Sequence, residues 1–207
     1  MASWLSHLLV AYRVSDLCSQ DDERDALYLG SLAPDWTGFG AGPRRRDSHF
    51  KTPVPGQYLV EAFVADWCLN VQDRLVRAFR WGYAGHLMVD RLWARRLYMP
   101  MVRDDPRAKE VYQVDLRAVD RELACEPGTE VVLTLLRHAR RLEPVVGAAN
   151  GLVPVEGLTR VLEEAEGRYR EPSPPNPPVF LDSQRAREVV RDGATELRST
   201  WLASMCG

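Results

Sequence analysis

Hydrophobic residues recur every three or four positions along most of the chain, which is the period of an amphipathic helix. Alternating patterns typical of strands are scarce, and no internal repeat is found. The sequence therefore predicts an all-α fold, a helical bundle with a site between its helices. The pattern places helices over approximately residues 3–19, 22–30, 57–72, 73–98, 105–125, 129–144 and 156–169, and from 182 or 183 onward.

Two segments interrupt this helical pattern. Residues 36–57 contain four glycines and three prolines, which favours a long loop. Residues 171–178 hold five prolines, so this segment is predicted to be an extended connector to the last helix. We predict one helical domain over residues 1–207.

Composition narrows the class of protein. The chain has 207 residues, is 45% hydrophobic and carries a net charge of -2, which favours a folded domain over a disordered chain or a basic nucleic-acid-binding domain. No apolar run is long enough to cross a bilayer, and the start lacks a basic signal-peptide region. The four cysteines are scattered without a C-x-x-C pair, as in reduced proteins, so a cytoplasmic location is expected.

The helix predicted over residues 73–98 carries polar residues on its apolar face. On a helical wheel His86 and Asp90 lie together at the centre of that stripe, about 40° or less from its main hydrophobic residues. A buried aspartate needs a partner, because burying an unpaired carboxylate costs several kcal/mol. A metal cation would meet that need, and so would a His–Asp hydrogen bond that only joins helices; both interpretations stay open.

Three further residues share this chemistry. His7 lies on the apolar face of the first helix, Asp35 follows Pro34, and His49 lies in the glycine- and proline-rich loop. Each has an ordinary alternative role, as a core histidine, a turn residue and a solvated loop side chain. As a set with His86 and Asp90, they offer nitrogen and carboxylate ligands without thiolate, which suits a hydrolytic zinc or iron centre. Five ligands suffice for two ions if an aspartate bridges them.

The order of these motifs resembles the zinc-dependent phospholipase C family, an all-helical group related to the single-strand-specific zinc nucleases. The resemblance covers about the first 90 residues. It rests on residues 4–7 (W-L-S-H), 29–35 (L-G-S-L-A-P-D), 48–50 (S-H-F) and 82–90 (G-Y-A-G-H-L-M-V-D). It implies a polynuclear metal site that hydrolyses phosphate esters. For this chain, which departs from the family as described below, one to three zinc ions are expected, with iron as the alternative metal. His7, Asp35, His49, His86 and Asp90 match the family's ligand positions, and Asp35 also matches the residue expected to orient or deprotonate the attacking water.

The chain departs from the family in two respects. The family's amino-terminal ligand is expected to be absent, and its later histidine and glutamate ligands have no clear match. Asp115 and Asp120 are candidate replacements, although a solvated carboxylate is the alternative for each. His138 is interpreted as a core histidine.

The predicted function is that of a metal-dependent hydrolase of a small-molecule or lipid phosphate ester. Two alternatives stay open, an iron-containing helical oxygenase and a non-catalytic metal-binding member of the family. The basic run at residues 44–46 is a candidate substrate attractor, and Trp36 and Trp93 are candidate pocket residues, with core packing favoured for Trp93. The substrate, the metal and the oligomeric state are not fixed by the sequence.

Overall fold

The computed structural model describes residues 2–39, 45–124, 129–142, 146–147, 149–170 and 176–205. Arg44, two of the four cysteines (125 and 206) and most of the proline-rich connector lie outside these ranges. Within them the structure is helical, and the bridge between Lys51 and Tyr58 is the one β-type pairing. The all-α prediction is confirmed.

The helices follow the predicted order. They are α1 (Trp4–Val14), α2 (Asp21–Leu32), α3 (Arg45–Ser48), α4 (Val60–Phe63), α5 (Arg74–Trp93), α6 (Met99–Asp104), α7 (Ala108–Leu123), α8 (Thr129–Arg141), α9 (Val155–Arg170) and α10 (Ser183–Met205). Short 3-10 turns follow α1 at Ser15–Leu17 and α2 at Ala33–Phe39. π-Helical turns extend α4 through Val64–Cys68 and α5 through Ala94–Tyr98.

Side-chain caps fix the starts of three of these helices. Ser3 Oγ accepts a hydrogen bond from the backbone N–H of Ser6 at the start of α1. Asp73 accepts from two backbone N–H groups at the start of α5, and Asp182 does the same for α10. Each cap satisfies N–H groups that have no partner inside the helix. Of the candidate ligands, His86 and Asp90 lie on α5 and His7 lies on α1. The caps of these two helices therefore help to set the positions of the ligands.

Helix α5 lies at the centre of the molecule. It packs most extensively against α2, and it also contacts α1 and α10. Trp81 on α5 stacks on Trp201 of α10 with ring centroids 5.4 Å apart. Nearly all the buried hydrophobic residues form one cluster, to which the long helices contribute together. None of the described helices has both the length and the apolar character needed to cross a membrane.

Two glycines let α2 and α5 approach closely. A Cβ atom at Gly30 would lie 1.9 Å from the Phe79 carbonyl oxygen, and one at Gly82 would lie 2.1 Å from the Leu27 carbonyl oxygen. Helix α2, expected to stop near Gly30, continues two residues further, to Leu32. Gly30 is a point of contact between helices and does not end one.

The segment predicted to be a long loop is more ordered than expected. Its first part is the Ala33–Phe39 turn, and α3 covers Arg45–Ser48. Residues 51–58 then form a small hairpin, closed by the Lys51–Tyr58 bridge. This local order holds Asp35 and His49 in defined positions.

Candidate metal centre

All five predicted ligands meet in one buried cluster. His7 comes from α1, Asp35 from the turn after α2, His49 from the turn directly after α3, and His86 and Asp90 from α5. Each is at most 5% exposed. Their nitrogen and carboxylate oxygen atoms form two groups in which every atom lies within 4.8 Å of the others, namely His7/His86/Asp90 and Asp35/His49/His86.

A backbone carbonyl fixes the protonation of His86. Its Nδ1 lies 2.8 Å from the carbonyl oxygen of Ser31 on α2. A carbonyl oxygen only accepts hydrogen bonds, so Nδ1 carries the ring proton. Burial lowers the pKa of His86 well below its usual value, and the ring is therefore neutral. Its Nε2 atom presents a lone pair to the cluster.

The hydroxyl group of Ser48 orients His49 in the same way. Ser48 Oγ donates its hydrogen to the Pro34 carbonyl at 2.9 Å, which leaves only acceptor capacity for other partners. His49 Nδ1 lies 2.9 Å from this oxygen and must therefore donate to it. In the neutral ring, His49 Nε2 then also presents a lone pair to the cluster.

These two lone pairs face each other. The Nε2 atoms of His49 and His86 are 3.3 Å apart, and Asp35 Oδ1 lies 3.2 Å from the same His49 nitrogen. Two acceptors at this distance repel unless a cation lies with them. A proton on His49, donated to Asp35, would meet the need, and so would a metal ion.

The third histidine of the cluster, His7, also needs a partner for its ring nitrogens, and a single proton on His49 would not supply one. Among the described residues, neither ring nitrogen of His7 has a hydrogen-bond partner, although the side chain is 1% exposed. Its ring stacks on His86 with centroids 3.6 Å apart. Burial lowers the pKa of His7 to about 4, so the ring is neutral at pH 7. A buried imidazole without a partner is costly, and its nitrogen is available as a ligand.

Both carboxylates are held by donors outside the ligand set. The Trp4 indole N–H donates to Asp35 Oδ2 at 2.6 Å. The Ala2 backbone N–H donates to Asp90 Oδ1 at 2.9 Å, and the Tyr58 hydroxyl lies 3.5 Å from Asp90 Oδ2. Burial raises the pKa of Asp90, but the electrostatic influence of the charged amino terminus, followed by that of the neighbouring histidines, outweighs burial and holds the pKa below its usual range. Asp90 is therefore an anion within contact of both His7 and His49.

Sequence patterns do not single out the residues that support the ligands. Trp4 lies three positions before His7, so helical spacing places both on one face of α1, and this is the one signal that could have found a supporting residue. Ser31 acts through its backbone and Ser48 through a hydroxyl aimed back at Pro34. Neither contact can be recognised from the spacing of residues in the sequence.

The candidate replacement ligands lie outside the cluster. Asp115 accepts hydrogen bonds from the backbone N–H groups of residues 179–181, so it anchors the end of the proline-rich connector to α7. Asp120 interacts with Ser3. The core interpretation of His138 is wrong, because its side chain is 36% exposed and pairs with Asp25 at 3.1 Å.

Trp36 and Trp93 have packing partners of their own, and Arg46 is the one member of the basic run whose side chain lies in the described part of the structure. Trp36 packs against Gly157 of α9, and Trp93 is buried with its indole N–H donating to Tyr112. The expectation of core packing for Trp93 is confirmed. Arg46 is exposed and donates to the Lys51 carbonyl.

The Oδ1 atom of Asp120 is buried, and this gives a pH-dependent prediction. Burial raises its pKa to about 7 from a usual value of 3.8. The folded chain therefore binds this proton more tightly than the unfolded chain, and the unfolding free energy falls as pH rises from about 4 to 7. Asp120→Asn carries no proton to lose. We expect urea unfolding to show the variant more stable than the wild type by roughly 2–4 kcal/mol at pH 8, with the difference vanishing near pH 4.

The matched control for this comparison is the exposed Asp66, changed in the same way. Asp66→Asn should track the wild type across the pH range. A constant difference between Asp120→Asn and the wild type from pH 4 to pH 8 would contradict the assignment.

Comparison with models of protein families, with curated proteins and with solved structures finds no match to this chain. What the fold and the site define is therefore a class: an all-α protein with a buried His/Asp cluster that could hold metal ions. The likeness to zinc-dependent phospholipases C stays a prediction that rests on the four sequence motifs that carry it.

Proposed function

We propose that this protein is a metal-dependent hydrolase of phosphate esters. The observation that carries the proposal is the 3.3 Å approach of the His49 and His86 Nε2 atoms in a buried cluster that also contains two carboxylates. Both rings have their Nδ1 protons committed elsewhere. An arrangement of this kind, with ligands oriented by outer hydrogen bonds, is typical of metal sites in proteins.

The ligand set supports two divalent ions. His86 can serve one ion only, because its second nitrogen is engaged with Ser31. The group Asp35/His49/His86 would hold that ion, and His7 with Asp90 would hold the other. Asp90 contacts histidines of both groups, so it is the natural bridging carboxylate. Nitrogen and oxygen ligands without sulfur favour zinc, and iron fits the same donor set.

Different residues of the chain would have different roles in hydrolysis. When bound, the ions would supply Lewis acidity, which neutralises charge on phosphate oxygens and lowers the pKa of water. Asp35, held on one oxygen by Trp4, would orient the attacking water or accept its proton. The rigid hydrogen bonds behind His49 and His86 keep the ligands in place during turnover.

The direct test is hydrolysis by the metal-loaded protein. The chain would be stripped with a chelator, reloaded with zinc or with iron(II), and assayed on bis(p-nitrophenyl) phosphate, p-nitrophenyl phosphate and phosphatidylcholine vesicles. We expect zinc to restore turnover of at least one ester, with no redox-dependent absorbance. His86→Ala should lose the activity, and His138→Ala, outside the cluster, should keep it. Inactivity of the zinc-loaded protein on every ester, or full activity of His86→Ala, would contradict the proposal.

The substrate is proposed to be a small-molecule or lipid phosphate ester in the cytoplasm. The support for this location is the pattern of cysteines: the two that fall within the described residues, Cys18 and Cys68, are free and buried. Burial raises the pKa of the Cys18 thiol to about 12, so it remains an unreactive thiol.

A further inference from the structure

One lysine reaches the cluster from the surface. Lys51 Nζ lies 3.8 Å from Asp90 Oδ2, at the side of the carboxylate that faces the 51–58 hairpin. The side chain of Lys51 is 24% exposed, whereas the other described residues that hold the two carboxylates are at most 9% exposed. An incoming ligand would therefore meet the cluster at Lys51.

The backbone is strained where it delivers this lysine. Phe50, between His49 and Lys51, has φ of 49°, a conformation that residues other than glycine rarely adopt. This turn directs the ligand His49 and Lys51 toward the same carboxylate, Asp90. Strain of this kind persists where the surrounding structure enforces it, and it concentrates at functional sites.

The ammonium group is also held in position. It lies 5.0 Å from the centre of the Tyr58 ring, across the bridge that closes the hairpin. A backbone hydrogen bond from the Thr52 N–H to the Gln57 carbonyl stabilises the same hairpin, and so does a side-chain hydrogen bond from Thr52 Oγ1 to Gln57 Oε1. Because the side chain is already ordered, binding an anion there costs little further conformational entropy.

The use of lysine stands out in this chain. Of its 27 basic residues only Lys51 and Lys109 are lysine, and the rest are arginine. The ammonium group of lysine is a compact point charge, whereas the guanidinium of arginine is larger and planar, so the two are not interchangeable beside the cluster.

We propose that Lys51 binds the phosphate group of the substrate, which must then be an anionic ester with at least one unesterified, negatively charged oxygen. The inference rests on the proposed function and deepens it, because it names the group that recognises the substrate. In the substrate-free chain Lys51 pairs with Asp90, and on binding it turns to the phosphate oxygen beside the ions. Neutral esters lack this partner and would be poor substrates.

The test measures binding of inorganic phosphate to the zinc-loaded protein by calorimetry. Lys51→Met keeps the apolar stem and removes the charge, and we expect its Kd for phosphate to rise ~10- to 100-fold with zinc content unchanged. Lys109→Met, an exposed lysine on α7, is the matched control and should bind phosphate as the wild type does. Lys51→Arg should recover only part of the affinity.

Measuring phosphate binding apart from ester turnover distinguishes failure of the Lys51 inference from failure of the proposed function. Phosphate affinity that is the same in Lys51→Met and in the wild type would overturn the inference, even if the wild type hydrolyses esters. Weaker phosphate binding in Lys51→Met supports the inference, even if no ester tested is hydrolysed and the proposed function fails. Loss of zinc from Lys51→Met would also overturn it, since Lys51 would then be supporting the ligands.

Discussion

Asp90→Asn is expected to lower the zinc content of the chain from about two ions to one or none, and to reduce phosphate-ester turnover by ~10³-fold or more. Asp90 is a carboxylate that contacts both His7 and His49, which places it to bridge two ions. An amide keeps the shape but offers one oxygen ligand and no charge. Zinc content would be measured by plasma mass spectrometry and helicity by circular dichroism.

The matched control is a buried carboxylate elsewhere in the fold. Asp25 is 4% exposed, and burial raises its pKa, so the neutral amide of Asp25→Asn should be tolerated. This variant should keep the zinc content and activity of the wild type. Full zinc content in a folded Asp90→Asn protein would contradict the assignment of Asp90 as a bridging ligand.

Gly82→Ala should cause a large loss of stability for the addition of a single methyl group, on the order of 3–5 kcal/mol or failure to fold. The new Cβ would lie 2.1 Å from the Leu27 carbonyl oxygen and 2.9 Å from the Ser31 nitrogen, both backbone atoms of α2. The helices must separate, and the His86–Ser31 hydrogen bond that orients the ligand is then disturbed. Urea unfolding and zinc affinity of the soluble fraction would measure both effects.

A second glycine provides the contrast. Gly167 lies on α9 with no atom within 4 Å of a Cβ placed there. Gly167→Ala should stabilise the chain by about 0.5–1 kcal/mol, because alanine has the higher helix propensity. Equal effects of the two substitutions would contradict the close packing of α2 against α5.

The ligands on α5 can be predicted because helical spacing is a strong signal. His86 and Asp90 are four residues apart on a helix whose remaining face is apolar, so their burial follows from the period alone. Asp35 and His49 are harder to predict, since they lie in irregular segments. The resemblance and the small number of histidines single them out, and the structure brings them to the same point.

The contacts that orient the ligands could not be predicted. The Ser31 carbonyl meets His86 only because α2 continues past Gly30 and approaches α5 closely. The sequence indicates a helix end at this glycine, because glycine often terminates helices. A glycine can end a helix, or it can allow a second helix to pack closely against it. Which of the two occurs depends on the tertiary structure, and the local sequence does not contain that information.

The site of Lys51 illustrates the same limit. Its approach to Asp90 depends on the left-handed turn at Phe50 and on a hairpin in a segment predicted to be loop. Aromatic residues rarely adopt such a turn, so no pattern indicates it. The periodicity of a sequence does not determine side-chain positions that depend on tertiary packing.

The most direct measurement is the zinc-binding stoichiometry of the chelator-stripped, folded chain by isothermal titration calorimetry at pH 7. We expect about two ions per chain, bound with release of few protons because burial keeps His7 and His86 neutral beforehand. His7→Ala should reduce the stoichiometry by about one. A folded wild-type chain that binds neither zinc nor iron(II) would contradict the metal centre and leave the cluster as a structural His–Asp network.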